Sequence, residues 1–231
     1  MSPRERLIVA LDVASPAEAH RIVSSLGDSI QFYKVGMQLY TAAGPPIVRD
    51  LVTSGKKIFL DLKYHDIPNT VGAAVREAAQ LGVSMLTLHA TGGTKMLRAA
   101  VEAAGQSNSK PAVLAVTVLT SMDENDLLET GIQDSIAEQA VRLGKIALNA
   151  GCAGVVSSAR EVKALRTSLG NGFLAVTPGV RPAGTAHGDQ ARVVTPAEAI
   201  GAGATNIVVG RPITAAADPV LEAQRILREI A

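Results

Sequence analysis

With 231 residues, the chain is long enough for one sizeable hydrophobic core and short for two, so a single domain over residues 1–231 is expected. Apolar residues make up 47% and charged residues 19%, the balance of an ordinary soluble globular domain. A formal net charge of +1 removes any electrostatic case for nucleic acid or an anionic membrane as partner, so positive charge that matters must be local.

The first apolar run is short and interrupted by Asp12, and segment 1–6 lacks the long apolar region and cleavage site of a signal peptide. No apolar run approaches the length needed to cross a bilayer, and the one cysteine, Cys152, cannot form an intrachain disulfide. A cytoplasmic enzyme is expected. Cys152 lies in the apolar stretch 151–156 and reads as a small buried hydrophobe rather than a nucleophile.

From there the chain alternates short β-rich runs with longer helical patterns. Strands are predicted over residues 7–12, 31–35, 57–62, 85–89, 112–118, 154–157, 172–177 and 206–210. Between them, segments 16–26, 46–54, 71–81, 95–104, 135–150 and 160–169 carry apolar residues at helical spacing among Ala, Leu, Glu and Arg. Ser15-Pro16-Ala17-Glu18 is a capping box with proline at the first helical position, and Thr195-Pro196-Ala197-Glu198 repeats it. Ser158 and Glu161 have the same spacing, and Asp218-Pro219 is placed to cap a last helix.

Strands that are apolar on both faces, each followed by a helix, are parallel strands covered by helices. Eight such units at this length predict a closed (β/α)8 TIM barrel, an α/β fold. The rival, an open doubly wound sheet, usually carries a glycine fingerprint after its first strand, where this chain has Asp12-Val13-Ala14-Ser15. The only long stretch without periodicity is 178–192, and loops of that length in compact domains are commonly functional.

In such a barrel the chemistry sits at the carboxyl ends of the strands. Polar residues recur there: Asp12 after the first strand, Lys34 in the second, Asp61 and Lys63 in the third with Asp66 beyond, His89 in the fourth. Thr120 and Ser121 follow the fifth strand, and Gly210 and Arg211 close the eighth. Charges inside apolar strands are costly unless paired. One Asp/Lys pair could be an ion pair that only sets register, whereas repetition at one end of successive strands argues for a shared site. Residues i and i+2 of a strand face the same side, so Asp61 and Lys63 are predicted to point together into the barrel mouth. An ammonium beside carboxylates stays protonated and acts as cation and proton donor.

A phosphate site is predicted at Gly210-Arg211-Pro212, where glycine admits an anion close to the backbone and arginine adds a bidentate cation. Arg181 and Gln190, in the long loop, read as lid groups closing over a phosphorylated ligand. His187 and Arg192 in that loop receive no role, His20 reads as a helix-surface residue, and His65 and His89 read as supporting rather than catalytic. The histidines are scattered and the carboxylates come with lysines, so no metal site is predicted. No nicotinamide or P-loop fingerprint occurs.

The run Asp61-Leu62-Lys63-Tyr64-His65-Asp66-Ile67-Pro68-Asn69-Thr70 resembles the signature of the orotidine 5'-monophosphate decarboxylase family. Supporting matches are Ala10-Leu11-Asp12, Tyr33-Lys34-Val35-Gly36, Leu119-Thr120-Ser121, Thr177-Pro178-Gly179-Val180-Arg181 and Val209-Gly210-Arg211-Pro212-Ile213, spread in the expected order over nearly the whole chain. The resemblance implies a cofactor-free carboxy-lyase that converts orotidine 5'-monophosphate to UMP and CO2. Lys63 then donates a proton to pyrimidine C6 within an alternating Lys34–Asp61–Lys63–Asp66 network. Asp12 and Lys34 would hold ribose hydroxyls, Thr120 and Ser121 the pyrimidine, and Arg181, Gln190, Gly210 and Arg211 the phosphate. The segment 66–70, with Ile67 and Thr70, would reach the neighbouring site of a homodimer. Three readings stand beside this one: a Mg2+-dependent sugar-phosphate lyase, expected to be acidic where this chain has Lys34; an isomerase of amino-acid biosynthesis on the same barrel; and a non-catalytic nucleotide-binding barrel.

Overall fold

The computed structural model describes residues 1–183 and 194–231. Eight parallel strands close into a barrel in sequence order: β1 (Leu7–Ala10), β2 (Phe32–Gly36), β3 (Lys57–Tyr64), β4 (Met85–His89), β5 (Ala112–Val116), β6 (Gly154–Val156), β7 (Leu174–Thr177) and β8 (Asn206–Val209). Closure is made by β1 and β8, with Leu7 opposite Ile207 and Val9 opposite Val209.

Helices wrap the barrel: α1 (Pro3–Arg6), α2 (Pro16–Leu26), α3 (Met37–Ala43), α4 (Pro45–Thr53), α5 (Pro68–Gln80), α6 (Gly93–Gly105), α7 (Glu124–Glu129), α8 (Ile136–Asn149), α9 (Ala159–Leu169), α10 (Pro196–Gly201), α11 (Arg211–Thr214) and α12 (Pro219–Glu229). Among the described residues, none is long and apolar enough to cross a membrane.

Local chemistry explains several boundaries. Ser15 Oγ accepts the Glu18 N–H at 3.3 Å, and Asp218 Oδ1 accepts the Leu221 N–H at 2.9 Å, satisfying donors that a helix start leaves open. Thr195 and Glu198 form both bonds of a capping box. At Ser158 the hydroxyl takes the Arg160 N–H instead of that of Glu161. Helix α5 begins at Pro68, three residues before the predicted start, because proline fits the first helical position and its missing N–H has no helical partner to lose. Helix α3, which periodicity did not reveal, is a two-turn segment ended by Gly44 at φ +66°, a left-handed geometry that glycine adopts without strain.

Two packed layers result. Ile8, Ala10, Phe32, Phe59, Met85, Leu114, Val116, Val156, Val176 and Val208 fill the barrel interior. The alternate residues of the same strands, among them Leu7, Val9, Tyr33, Val35, Leu60 and Leu86, pack outward against the helices. Burying each large aliphatic or aromatic side chain contributes roughly 1.5–3 kcal/mol. Strands β6 and β7 approach so closely at Gly154 that a Cβ there would collide with the Leu174 carbonyl oxygen, so no larger residue fits. Cys152 is buried, and burial pushes its thiol up to about 12, consistent with a packing role.

Candidate active site

At the carboxyl ends of the strands lies a cavity of about 460 Å³, whose wall includes Asp12, Lys34, Asp61, Lys63, Thr120, Arg181, Gly210 and Arg211. The interior positions of β2 and β3 alternate from Phe32 to Lys34 and from Phe59 to Asp61, so the apolar barrel filling gives way to charge one residue pair below the mouth.

The charges form a chain. Lys34 Nζ lies 2.7 Å from Asp12 Oδ1 and 3.6 Å from Asp61 Oδ2, and Lys63 Nζ lies 2.9 Å from Asp61 Oδ2. The Lys34 and Asp61 side chains are about nine-tenths buried, where charge is costly unless paired, and each has two partners of opposite sign. Burial alone would raise the Asp61 carboxyl. The ammonium groups of Lys34 and Lys63, with hydrogen bonds from Lys63 and Thr87, outweigh it and hold the group below the usual carboxylate range. Gly36 makes room for this pairing, since a Cβ there would stand 2.7 Å from Lys34 Nζ and 2.9 Å from Asp12 Oδ1.

Strand β3 reaches this geometry by a route that simple alternation does not describe. Leu60 pairs with Leu86 and Tyr64 with Leu88, so β3 advances four residues while β4 advances two. Within this bulge Lys63 adopts φ +52°. A left-handed backbone at a residue with a side chain costs on the order of 1–3 kcal/mol and is held only by surrounding contacts. Here the Lys63 N–H donates to Thr87 Oγ1 at 2.9 Å, and the Thr87 hydroxyl donates to Asp61 Oδ1 at 2.9 Å. Asp61 and Lys63 do meet, as expected, but through a turned backbone and not through a continued pleat.

Other expected residues lie differently. Within one chain Asp66 does not join the charge network: it is exposed, and its Oδ1 accepts the N–H of Ile67 at 2.6 Å. Ile67 and Thr70 are likewise exposed and outside the cavity wall, because the bulge carries the chain outward before α5 starts. Thr120 lines the cavity, whereas Ser121 is exposed beside it. Gln190, His187 and Arg192 lie outside the described residues. His65 and His89 form a tilted ring pair 5.6 Å apart, and burial, then the neighbouring His65 and Lys63, keep His89 below the usual histidine range and neutral at pH 7.

On the far side of the cavity, Arg181 is buried, and burial together with the charge of Arg211 lowers its guanidinium from the usual value. Two cations that repel each other across a cavity wall favour an anion between them. The loop carrying Arg181 is closed at its neck, where Val180 pairs with Val194 and the Arg181 N–H donates to the Val194 carbonyl at 2.9 Å. Between the two charged regions the wall is apolar, with Val116, Val118, Val156 and Val208.

Sequence reasoning passed over Thr87 and these valines, and named Gly36 only within a matching run, without a role. Thr87 carried a signal: in Met85-Leu86-Thr87-Leu88-His89 it is the polar residue at an interior position of an apolar strand.

Comparison with known proteins gives a consistent result. Residues 5–226 match the family described as "Orotidine 5'-phosphate decarboxylase / HUMPS family". The chain is 49% identical to an orotidine 5'-phosphate decarboxylase of Moorella thermoacetica, covering 100% of this chain and 94% of that protein. It is 51% identical to one of Afipia carboxidovorans, covering 100% and 96%. Among solved structures, orotidine 5'-phosphate decarboxylase from Lactobacillus acidophilus superimposes with a TM-score of 0.86 at 41% identity, covering 97% of this chain and 98% of that one. Strand order, the charge cluster at the barrel mouth and full-length similarity agree: the chain belongs to the orotidine 5'-phosphate decarboxylase / HUMPS family.

Proposed function

We propose that this chain is a single-domain cytoplasmic enzyme that converts orotidine 5'-monophosphate to UMP and CO2, with Lys63 as proton donor. The observation that carries this reading is the Lys63 ammonium, held 2.9 Å from Asp61 in a cavity whose opposite wall bears Arg181 and Arg211. Relatives of about 50% identity named for this activity support it. When the bond between C6 and the carboxylate breaks, the electron pair stays on C6 as CO2 leaves. A cation already fixed at that position stabilises the carbanion without reorganising, and one ammonium proton then passes to C6. Lys63 becomes a neutral amine and regains its proton from water.

In this reading Asp12 and Lys34 hold the ribose hydroxyls, and the Thr120-Ser121 turn contacts the base, whose ring faces lie against the valine wall. Arg181, Gln190, Gly210 and Arg211 take the phosphate. Grip on a group remote from the breaking bond supplies binding energy for orientation. The exposed segment 66–70, with Ile67 two-thirds exposed, is suited to complete the site of a second copy, so Asp66 and Thr70 act across a homodimer. The lone buried cysteine suits a reducing compartment.

The alternative reading of a sugar-phosphate lyase would use Mg2+. Lys34, wedged between Asp12 and Asp61, neutralises the carboxylates that a divalent cation would need. The test is to mix the purified protein with orotidine 5'-monophosphate, with and without EDTA, and follow the pyrimidine absorbance. Loss of substrate at equal rates in both is expected. No turnover, or turnover abolished by EDTA, overturns the assignment.

A further inference from the structure

Thr87 sits on the wall of β4 that faces the barrel interior, is fully buried, and touches both halves of the reacting pair. We propose that Thr87 is a positioning residue for this site, its hydroxyl fixing both the angle of the Asp61 carboxylate and the backbone turn that aims the Lys63 ammonium. The inference rests on the decarboxylase reading given above.

The direction of the two bonds follows from chemistry. The Lys63 N–H can only donate, and the ionised Asp61 carboxylate can only accept. The hydroxyl between them therefore accepts from the first and donates its one proton to the second, with both bonds at 2.9 Å. This orientation leaves Asp61 Oδ2 for the two ammonium groups, at 2.9 Å from Lys63 and 3.6 Å from Lys34. The same hydroxyl anchors the N–H of Lys63, whose φ of +52° is a backbone conformation that residues with side chains rarely adopt. A side chain on a neighbouring strand thus ties the orientation of the acid to the aim of the proton donor, and does so from a position that does not line the cavity.

Valine keeps the shape of threonine and removes the hydroxyl, whereas serine keeps the hydroxyl and removes a methyl group. In Thr87→Val, kcat is expected to fall about 10- to 100-fold while KM changes by less than about threefold, because the groups proposed to grip ribose and phosphate lie on other strands and loops. Thr87→Ser should recover kcat to within about threefold of wild type. Wild-type kcat in the valine variant, or equal impairment of valine and serine, overturns the proposal. If valine prevents folding, Thr87→Ala against Thr87→Ser makes the same comparison at equal loss of the methyl group. Failure of both hydroxyl-free variants to fold beside a normal serine variant makes Thr87 a stability residue and also overturns it. If the wild-type protein leaves orotidine 5'-monophosphate intact, the reaction assigned above fails separately. Crystal structures of the variants then decide the inference alone: the Lys63 Nζ to Asp61 Oδ2 separation should stay near 2.9 Å with serine and open with valine or alanine.

Discussion

The two halves of the barrel mouth are built from different materials. On the β1–β4 side, Asp12, Lys34, Asp61 and Lys63, with the Thr87 hydroxyl, join in one network of ion pairs and hydrogen bonds carried on or directly beside strands. On the β5–β8 side, the strands contribute valines, and the cations Arg181 and Arg211 stand on the segments that follow β7 and β8. Under the proposed function the difference separates two tasks. Charge that must meet a developing carbanion belongs on elements that do not move, since electrostatic stabilisation is worth most when already oriented. Groups that grip a remote anion can sit on loops, which close around a ligand and release it.

The widest separation of the halves is expected from Lys63→Ala. It removes both the cation and the proton, and kcat should fall by at least about 10,000-fold with little change in KM. Kinetics with orotidine 5'-monophosphate check this, and a normal kcat would remove Lys63 from its assigned role. Arg211→Ala tests the other half. Loss of a charge-assisted grip should raise KM about 10- to 100-fold and leave kcat less affected, with the remaining affinity less sensitive to salt. A loss confined to kcat would place Arg211 on the reacting side instead.

The smallest effect is one of pH and sharpens the electrostatic half. The folded-state value of Asp61 lies below its unfolded value of about 3.9, so its contribution to stability is fully present above that value. It is lost as pH falls through the lower folded value. In denaturant titrations, the stability difference between wild type and Asp61→Asn should be constant from pH 7 to 5 and shrink only in the acid range. A difference that instead grows as pH falls from 7 to 5 would mean that Asp61 is held in its protonated form.

Much of this arrangement was legible in the sequence, and for identifiable reasons. Strand apolarity and caps such as Thr195-Pro196-Ala197-Glu198 mark the barrel because they depend on neighbouring residues alone. Asp61, Lys63 and Lys34 stand out because charge inside apolar strands has few purposes. The bulge at Lys63 was hidden, since pleat alternation also brings residues 61 and 63 to one side and no glycine marks the left-handed position. Thr87 was hidden for a related reason: threonine is an ordinary strand residue, and its use depends on contacts with Asp61 and Lys63 that are distant in sequence. The exposed setting of Asp66 and Ser121 depends on where the chain leaves the barrel, which periodicity does not report.

Barrel closure has a consequence for how the protein is made. The first strand gains its second neighbour only when Leu7 meets Ile207, near the end of the chain. During synthesis, β1, whose side chains are all apolar, emerges before the other seven strands and keeps one edge unpaired until β8 has been translated. A nascent chain of this design carries an open edge prone to aggregation until its barrel closes, and shielding of that edge by a chaperone would be most useful before the eighth strand appears.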